Sequence, residues 1–313
     1  MGIFEAVVQG IVQGLTEFLP VSSSGHLLIS QHILGVRNNN LFFNVMLHIG
    51  TLIAVLAVYW KDVWNLILAF FGLIKKGFKR EVNLKNLNYY EQMVLTIIVG
   101  LLPLFLLFLP MPGSDGMSIK DVAQELSSEK NILIVGFALI FTGLLMNKGV
   151  KSKKVLKIGK SSENLETFEG RERITFKDAI SIGIMQLIAA IFPGISRSGS
   201  TLSIGLMRGV SKKSALDYSF ILGIPAIVAA AGLEFKEVIE QNSVSSVDIF
   251  PIIIGVAVSG IVGFLSIKLF KWLLKTDKMI IFIVYTLIVG TILVFIGIIE
   301  QILGINIFTG FSI

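Results

Sequence analysis

The sequence contains no cysteine, and only 15% of its 313 residues are charged. Without cysteine, disulfide bonds, thiolate metal sites and thiol nucleophiles are excluded. A soluble domain carries about 25% charged residues, so the low charge content argues against one. The Walker A, H-E-x-x-H and G-x-S-x-G patterns are also absent. The best-known nucleotide-binding, zinc-protease and serine-hydrolase motifs are therefore not the source of this protein's function.

Apolar residues dominate instead, at 54% of the chain, with a mean hydropathy of +0.81. Six apolar stretches approach the roughly 20 residues that a membrane-spanning helix needs. They are 43–60, 92–111, 131–147, 215–234, 249–270 and 279–302. The pattern predicts an all-α integral membrane protein with six transmembrane helices. Segment 62–78 ends in the basic run KKGFKR and is predicted to be an interfacial helix.

Two further segments are broken: 2–36 is interrupted at Pro20, and 176–208 at Pro193 and Gly194. Lysine and arginine suggest how these segments lie. Twenty-two of the 27 occupy loops 61–91, 148–178, 208–217 and 268–278. By the positive-inside rule these loops are cytoplasmic. The six spans can then cross the membrane in alternating directions only if both broken segments are re-entrant helical hairpins. Segment 2–36 would enter and leave from outside, and segment 176–208 would enter and leave from inside. The +6 net charge then belongs to a membrane surface, and no nucleic-acid partner is expected.

The two broken segments form part of an internal repeat. When the first is shifted by 173 residues, six of its residues coincide with identical ones in the second. These are Ala6, Gly10, Ile11, Gln13, Pro20 and Ser23, which fall on Ala179, Gly183, Ile184, Gln186, Pro193 and Ser196. Each half contains one hairpin and three spans. Because three is an odd number, the two halves must have opposite orientations in the membrane, as in inverted-topology repeats. The predicted division is a first repeat, 1–150, a cytoplasmic basic loop, 151–175, and a second repeat, 176–313.

The first hairpin contains polar groups that are costly in lipid unless they are paired. The stretch GLTEFLPVSSSGH holds the Glu17 carboxylate, three serine hydroxyls and the His26 imidazole. A carboxylate suits Mg²⁺ or Ca²⁺. A serine-rich helix start suits a phosphate, which makes Ser22, Ser24 and Gly25 candidate phosphate-binding residues. His26 is a candidate acid, base or nucleophile.

The second hairpin supplies a cation. Arg197 is the only basic residue between Lys177 and Arg208, and it lies within PGISRSGST. A guanidinium among hydroxyl and amide donors suits a phosphate group. The candidate phosphate-binding residues here are Ser196, Arg197, Ser198, Gly199 and Thr201. His32 and His48, by contrast, are expected to have structural roles.

The segments QGLTEFLPVSSSGHL and PGISRSGST resemble the two signature regions of the bacitracin-resistance family of undecaprenyl-diphosphatases. The resemblance continues, in order and spacing, in FNVMLHIGTLIAVL and SFILGIPAIVAA. It implies a homodimeric phosphatase of the bacterial cytoplasmic (inner) membrane whose active site faces outside. Its lipid substrate would be undecaprenyl diphosphate, a polyprenyl diphosphate. The resemblance also implies recycling of this carrier for cell-wall synthesis and resistance to bacitracin.

The family's first motif places an acid or glutamine four residues before a glutamate, which here are Gln13 and Glu17. The resemblance therefore implies a divalent cation, Mg²⁺ or Ca²⁺, held by Glu17 with Gln13. Ser23 is the predicted nucleophile with His26 as its base, and direct attack by His26 stays open. Arg197 is predicted to stabilise charge on the phosphoryl oxygens.

Two other classes of function remain. Inverted repeats with broken helices are also the architecture of alternating-access carriers, so a transporter or lipid flippase is the second hypothesis. A structural membrane protein without a site is the third, and its polar hairpins would then have no use. A carrier does not require Ser23, His26 and Glu17 within ten residues, and this clustering favours the phosphatase.

Overall fold

The computed structural model describes residues 2–34, 41–113, 116–128, 132–152, 170–240 and 249–310, which form helices and no β-strand. The helices are α1 (Ile3–Phe18), α2 (Ser23–Leu34), α3 (Leu41–Val58), α4 (Trp60–Phe78), α5 (Tyr89–Leu101), α6 (Ile119–Ser128), α7 (Ile132–Lys151), α8 (Phe176–Ile191), α9 (Arg197–Met207), α10 (Lys212–Glu240), α11 (Ile249–Lys275) and α12 (Ile280–Leu303). A 3-10 helix, Leu102–Phe108, continues α5. The all-α prediction is confirmed for these residues. Most of the predicted basic loop, 153–169, lies outside them.

Five helical segments are long and apolar enough to cross a membrane: α7, α10, α11, α12, and α5 with its 3-10 continuation. The remaining predicted span, 43–60, corresponds to α3. This helix meets the same length and hydropathy criteria only together with α4. These two helices are bent by 85° relative to each other. A bend of that size agrees with the prediction that 62–78 leaves the direction of the preceding span. Large apolar side chains such as Phe295, Ile302 and Ile261 point outward from these helices, as expected for residues that contact lipid.

Segment 112–130 contains a helix that the sequence analysis did not predict, α6. Ser118 caps the amino terminus of α6: its hydroxyl accepts from the Asp121 amide, and the Asp121 carboxylate accepts from the Ser118 amide. The Ser118 hydroxyl and the Ser118 amide both donate to the Asp121 carboxylate, and these two hydrogen bonds hold the pKa of Asp121 below its ordinary value. The Ser-x-x-Asp spacing is a known signal for a helix start and would have revealed α6.

The two predicted helix breaks are both present. Between α1 and α2 the chain passes through Pro20 and through Ser22, which has a positive φ of 73°. Between α8 and α9 it passes through Pro193 and through Gly194, with φ of 92°. Positive φ is unfavourable for a residue with a side chain by about 1–2 kcal/mol. Ser22 is held there because its hydroxyl accepts from the Gly25 amide at the start of α2.

Each broken segment folds back on itself as a helical hairpin. In the first, the Ser30 hydroxyl of α2 donates to Gln9 of α1. In the second, Arg208 after α9 pairs with Asp178 in the first turn of α8, at 3.0 Å. Arg171 contacts the same carboxylate at 2.9 Å. The end of each hairpin therefore returns to the neighbourhood of its beginning.

For several pairs of neighbouring helices, two close contacts at different points along their length show whether the helices are parallel or antiparallel. The contacts are Gly10 with Gly255, Gly14 with Gly263, Phe43 with Gly255, Thr51 with Gly263, Ile174 with Gln92, Gly183 with Gly100, Leu133 with Gly297, and Gly143 with Thr286. It follows that α1 and α3 are parallel to α11, and that α8 is parallel to α5. In contrast, α7 and α12 are antiparallel.

A series of phenylalanines anchors the first hairpin in the core. Phe18, at the end of α1, contacts Phe220 of α10 with ring centroids 5.5 Å apart. Phe220 contacts Phe270 of α11, and Phe270 contacts Phe282 of α12. Since these rings are almost fully buried, they fix the position of Glu17, the residue before Phe18.

Candidate functional site

The two hairpins meet at their breaks, and the contact is reciprocal. Gly25, at the start of α2, packs against Gly194 in the second break, where an added Cβ would lie 3.2 Å from the Gly194 Cα. Gly199, at the start of α9, packs against Pro20 in the first break, where an added Cβ would lie 3.0 Å from the Pro20 Cβ. The Ser198 hydroxyl donates to the Leu19 carbonyl at 3.1 Å. The amino termini of α2 and α9 therefore lie at one junction, where their dipoles favour an anion.

Glu17 is the centre of this junction. Its Oε1 atom accepts from Arg197 at 2.9 Å. Its Oε2 atom accepts from the Ser23 hydroxyl at 2.7 Å and from the Gln13 amide at 3.0 Å. The carboxylate is 7% exposed. The structure thus joins four predicted site residues through one buried carboxylate, although Arg197 is 180 positions away in the sequence.

Arg197 reaches the junction from the first turn of α9. One terminal nitrogen pairs with Glu17, and the other donates to the Ser219 carbonyl of α10 at 3.4 Å. Its guanidinium lies against Gly223, where any side chain would overlap it. Gly223 falls in SFILGIPAIVAA, so one requirement of that sequence is space for the arginine.

The predicted pair of Ser23 and His26 is placed on one helix, but each contacts a different partner. Ser23 donates to Glu17. The His26 Nδ1 atom lies 2.8 Å from the Ser22 carbonyl oxygen, and its Nε2 atom lies 2.7 Å from the Tyr285 hydroxyl. In this arrangement Glu17, and not His26, is the residue that contacts the Ser23 hydroxyl and can accept its proton.

The other predicted phosphate-binding residues surround the junction. Ser196 is the N-cap of α9: its hydroxyl accepts from the Gly199 amide, and its own amide donates to Thr142 of α7. Thr201 lies 2.6 Å from the Ser219 hydroxyl. Ser22, Ser196, Ser198 and Thr201 are buried, whereas Ser24 is exposed. The buried hydroxyls mainly hold the two helix starts in place.

Three residues of the site were not assigned from the sequence as functional. His48, expected to be structural, places its Nε2 atom 3.9 Å from Glu17. Ser219 and Tyr285 come from α10 and α12. His48 and Ser219 lie in the segments FNVMLHIGTLIAVL and SFILGIPAIVAA, and Tyr285 lies in neither. Their contacts at the junction arise only from the packing of distant helices.

The side chains at the junction can be compared with those that usually bind a divalent cation such as the predicted Mg²⁺ or Ca²⁺. Among the described residues no three His, Cys, Asp or Glu side chains cluster as metal ligands. The Gln13 side-chain oxygen, however, is buried without a hydrogen-bond partner, beside the Glu17 carboxylate. Mg²⁺ is commonly bound by one or two carboxylates together with substrate phosphates and water. Glu17 and Gln13 therefore fit a cation that a phosphorylated ligand helps to hold.

Comparison with known proteins identifies the family of this chain. The model of the family described as "Bacitracin resistance protein BacA" matches residues 6–292. An undecaprenyl-diphosphatase of Carboxydothermus hydrogenoformans is 36% identical, over 94% of this chain and 97% of its own. One from Alkaliphilus metalliredigens is 37% identical, over 94% and 98%. One from Methanosphaera stadtmanae is 34% identical, over 96% and 99%. The chain belongs to the bacitracin resistance protein BacA family.

Proposed function

We propose that this protein hydrolyses undecaprenyl diphosphate to undecaprenyl phosphate and inorganic phosphate. The observation that carries the proposal is the buried junction in which Glu17 binds both Arg197 and Ser23. A nucleophile, a proton acceptor and a cation for phosphoryl oxygens are adjacent there. The amino termini of two helices add amide donors. The apolar outer surface leaves the prenyl chain in the bilayer while the headgroup reaches the junction.

In the proposed reaction, the Ser23 oxygen attacks the terminal phosphorus and its proton passes to Glu17. The bond from phosphorus to the bridging oxygen breaks, and undecaprenyl phosphate leaves. Arg197 and the helix amides stabilise charge on the phosphoryl oxygens. A water molecule, deprotonated by His26, then attacks the phosphorus; its bond to the Ser23 oxygen breaks, phosphate leaves, and Ser23 recovers its proton from Glu17. A divalent cation, Mg²⁺ or Ca²⁺, held by Glu17 and Gln13, would neutralise diphosphate charge.

Purified protein in detergent tests this activity. Phosphate release from undecaprenyl diphosphate is expected without any membrane gradient, and a carrier would release none. Acid quenching during turnover then distinguishes the nucleophile: phosphoserine survives acid, whereas phosphohistidine does not. An acid-labile adduct would transfer the attacking role from Ser23 to His26, the alternative left open by the sequence.

A glycine substitution tests the role of the Arg197 position. Gly223→Ala is expected to lower kcat by about 10-fold or more, because the added methyl displaces the guanidinium from the phosphoryl group. Gly232→Ala on the same helix is the matched control, since an added Cβ there meets no atom within 4 Å. It should leave kcat unchanged. Equal activity of both variants would show that the position of Arg197 does not limit the reaction.

We further propose that the two halves form an inverted repeat with re-entrant hairpins. The parallel pairs α1 with α3 and α8 with α5 support it, because successive spans α3 and α5 run in opposite directions. By this argument, α1 and α8 enter from opposite faces of the membrane. Gly10 and Gly183 occupy equivalent repeat positions and contact Gly255 and Gly100 of the opposite halves.

Orientation is tested by cysteine labelling, for which the cysteine-free chain needs no prior substitution. We expect Asn242→Cys to react with a membrane-impermeant maleimide in intact cells, and Ser161→Cys to react only after permeabilisation. Both positions lie outside the described residues. The expectation follows from the 22 basic residues in the proposed cytoplasmic loops. The reverse labelling pattern would overturn an outward-facing first hairpin.

The remaining parts of the proposal concern the cellular setting. We propose a homodimer in the bacterial inner membrane, with the active site accessible from outside. Removal of the terminal phosphate there returns the lipid carrier to cell-wall synthesis. It also depletes the diphosphate, and so confers resistance to bacitracin. Increased expression should therefore raise the inhibitory concentration of bacitracin, and an inactive Ser23→Ala variant should not.

A further inference from the structure

Tyr285 lies on α12, in a region where the sequence analysis placed no functional residue. Its hydroxyl is 2.7 Å from the His26 Nε2 atom, and the two rings stack with centroids 5.7 Å apart at 18°. The tyrosine is 41% exposed, so one side of its ring borders the apolar surface of the protein. Its hydroxyl is directed inward, to the imidazole of the first hairpin.

The partners of His26 determine which nitrogen carries the proton. The Nδ1 atom lies 2.8 Å from the Ser22 carbonyl oxygen, and a carbonyl only accepts hydrogen bonds. The neutral ring must therefore be protonated at Nδ1. Its Nε2 atom then holds the lone pair, and the Tyr285 hydroxyl donates to it. The other tautomer would place two acceptors in contact at Ser22.

We propose that Tyr285 relays the proton of the attacking water to His26, whose imidazole the Ser22 carbonyl holds in the Nδ1-protonated tautomer with Nε2 as its proton-accepting atom. This inference rests on the proposed function, in which His26 deprotonates water. The Tyr285 hydroxyl occupies the only lone pair of Nε2, so the water donates to the Tyr285 oxygen and reaches the imidazole through it. Without Tyr285, Nε2 would face a partly apolar surface, and the plane of the ring would not be held from that side.

The hydroxyl suits both protonation states of His26. When the imidazole is neutral, the hydroxyl donates to Nε2. As the Tyr285 oxygen takes the proton of the water, the original hydroxyl proton passes to Nε2, so that Tyr285 stays neutral and its oxygen then accepts from the protonated Nε2. The Ser22 carbonyl accepts from Nδ1 in both states. His26 can therefore gain and lose a proton at Nε2 without a movement of its ring, and this lowers the reorganisation that proton transfer requires.

Tyr285→Phe removes the hydroxyl and keeps the stacked ring. We expect kcat for phosphate release to fall by about 10-fold, a part of the 10²–10⁴ that acid–base catalysis supplies. KM should change less than about twofold, because ground-state binding of the lipid is untouched. Tyr89→Phe is the matched control, since Tyr89 has the same exposed fraction of 41% and lies on α5. A merely structural role for Tyr285 would instead lower thermal stability and leave kcat per folded molecule unchanged.

Nitrogen-15 NMR of histidine-labelled protein tests the inference without reference to turnover. His26 resonances are identified by their loss in His26→Gln. Above the ordinary histidine pKa of about 6.5, wild-type His26 is expected to show a protonated Nδ1 and an unprotonated, hydrogen-bonded Nε2. In Tyr285→Phe the Nε2 resonance should shift towards that of a free lone pair, and the Tyr89→Phe spectrum should match wild type.

The outcomes separate this inference from the proposed function. A wild-type ring protonated at Nε2, or an Nε2 resonance that Tyr285→Phe leaves in place, would overturn the relay whatever the activity. The wild-type spectrum identifies the tautomer even if Tyr285→Phe does not fold. Unchanged kcat in a folded Tyr285→Phe would also overturn the relay. Absence of phosphate release by wild type would instead contradict the phosphatase assignment, and the tautomer would still be measured.

Discussion

Arg197→Lys is expected to reduce phosphate release by at least about 10²-fold, the loss typical of removing one transition-state donor. Lysine keeps the charge but not the planar fork. That fork now spans Glu17 on one side and the Ser219 carbonyl on the other. A single ammonium group cannot replace both contacts and still bind a phosphoryl oxygen. The measurement is kcat for undecaprenyl diphosphate in detergent, together with the melting temperature.

The matched control is Arg173→Lys, the same chemical change at an exposed arginine before the second hairpin. It should retain wild-type kcat. The melting temperature of Arg197→Lys should stay near that of the wild type, because lysine still neutralises the charge of Glu17. Near-normal turnover in Arg197→Lys would identify the arginine as a counter-ion of Glu17. The proposal that both hairpins contribute to one active site would then lose its main support.

Glu17→Gln is expected to lower kcat by about 10³-fold, within the range for loss of a proton-transfer group. The amide has the shape of the carboxylate but cannot accept from Arg197, Ser23 and Gln13 together. Arg197 then remains mostly buried without a counter-charge. We expect a loss of roughly 1–3 kcal/mol in stability, less than the roughly 3–5 kcal/mol seen when fully buried pairs are broken. Divalent-cation affinity, measured by titration, should fall in parallel.

Glu5→Gln makes the same charge change on the same helix, away from the junction, and should preserve both kcat and cation affinity. Gln13→Ala should have an intermediate effect, because an amide oxygen is a weaker ligand than a carboxylate for a hard cation. If Glu17→Gln kept its cation dependence and rate, Glu17 would be a structural carboxylate and the cation would bind elsewhere.

Much of the architecture could be predicted because its signals are local. Long apolar runs mark the spans, Pro20 and Pro193 mark the breaks, and the basic run KKGFKR at the end of 62–78 distinguishes the segment that forms α4 from the spans. The bend of 85° between α3 and α4 agrees with that expectation. Helix α6 was missed because its polar composition resembles a loop, although Ser118 and Asp121 carry a capping signal.

The composition of the site could also be predicted, but its hydrogen bonds could not. Glu17, Ser23, His26 and Arg197 are conspicuous as polar residues within largely apolar segments. Which of them bond to each other depends on side-chain directions at two helix breaks. Tyr285 could not be found at all, because it is separated from His26 by 259 positions and resembles any aromatic residue of an apolar span.

The contact between the two breaks also determines when the site can form during synthesis. Glu17 and its arginine are 180 residues apart, and ribosomes add about 5–20 residues per second. About 10–40 s therefore pass between synthesis of the first hairpin and synthesis of Arg197. Throughout that time its carboxylate and serines have no partner from the second hairpin. Under the proposed re-entrant topology, other groups must keep this incomplete site away from lipid, or the hairpin must stay at the aqueous boundary until Arg197 is made.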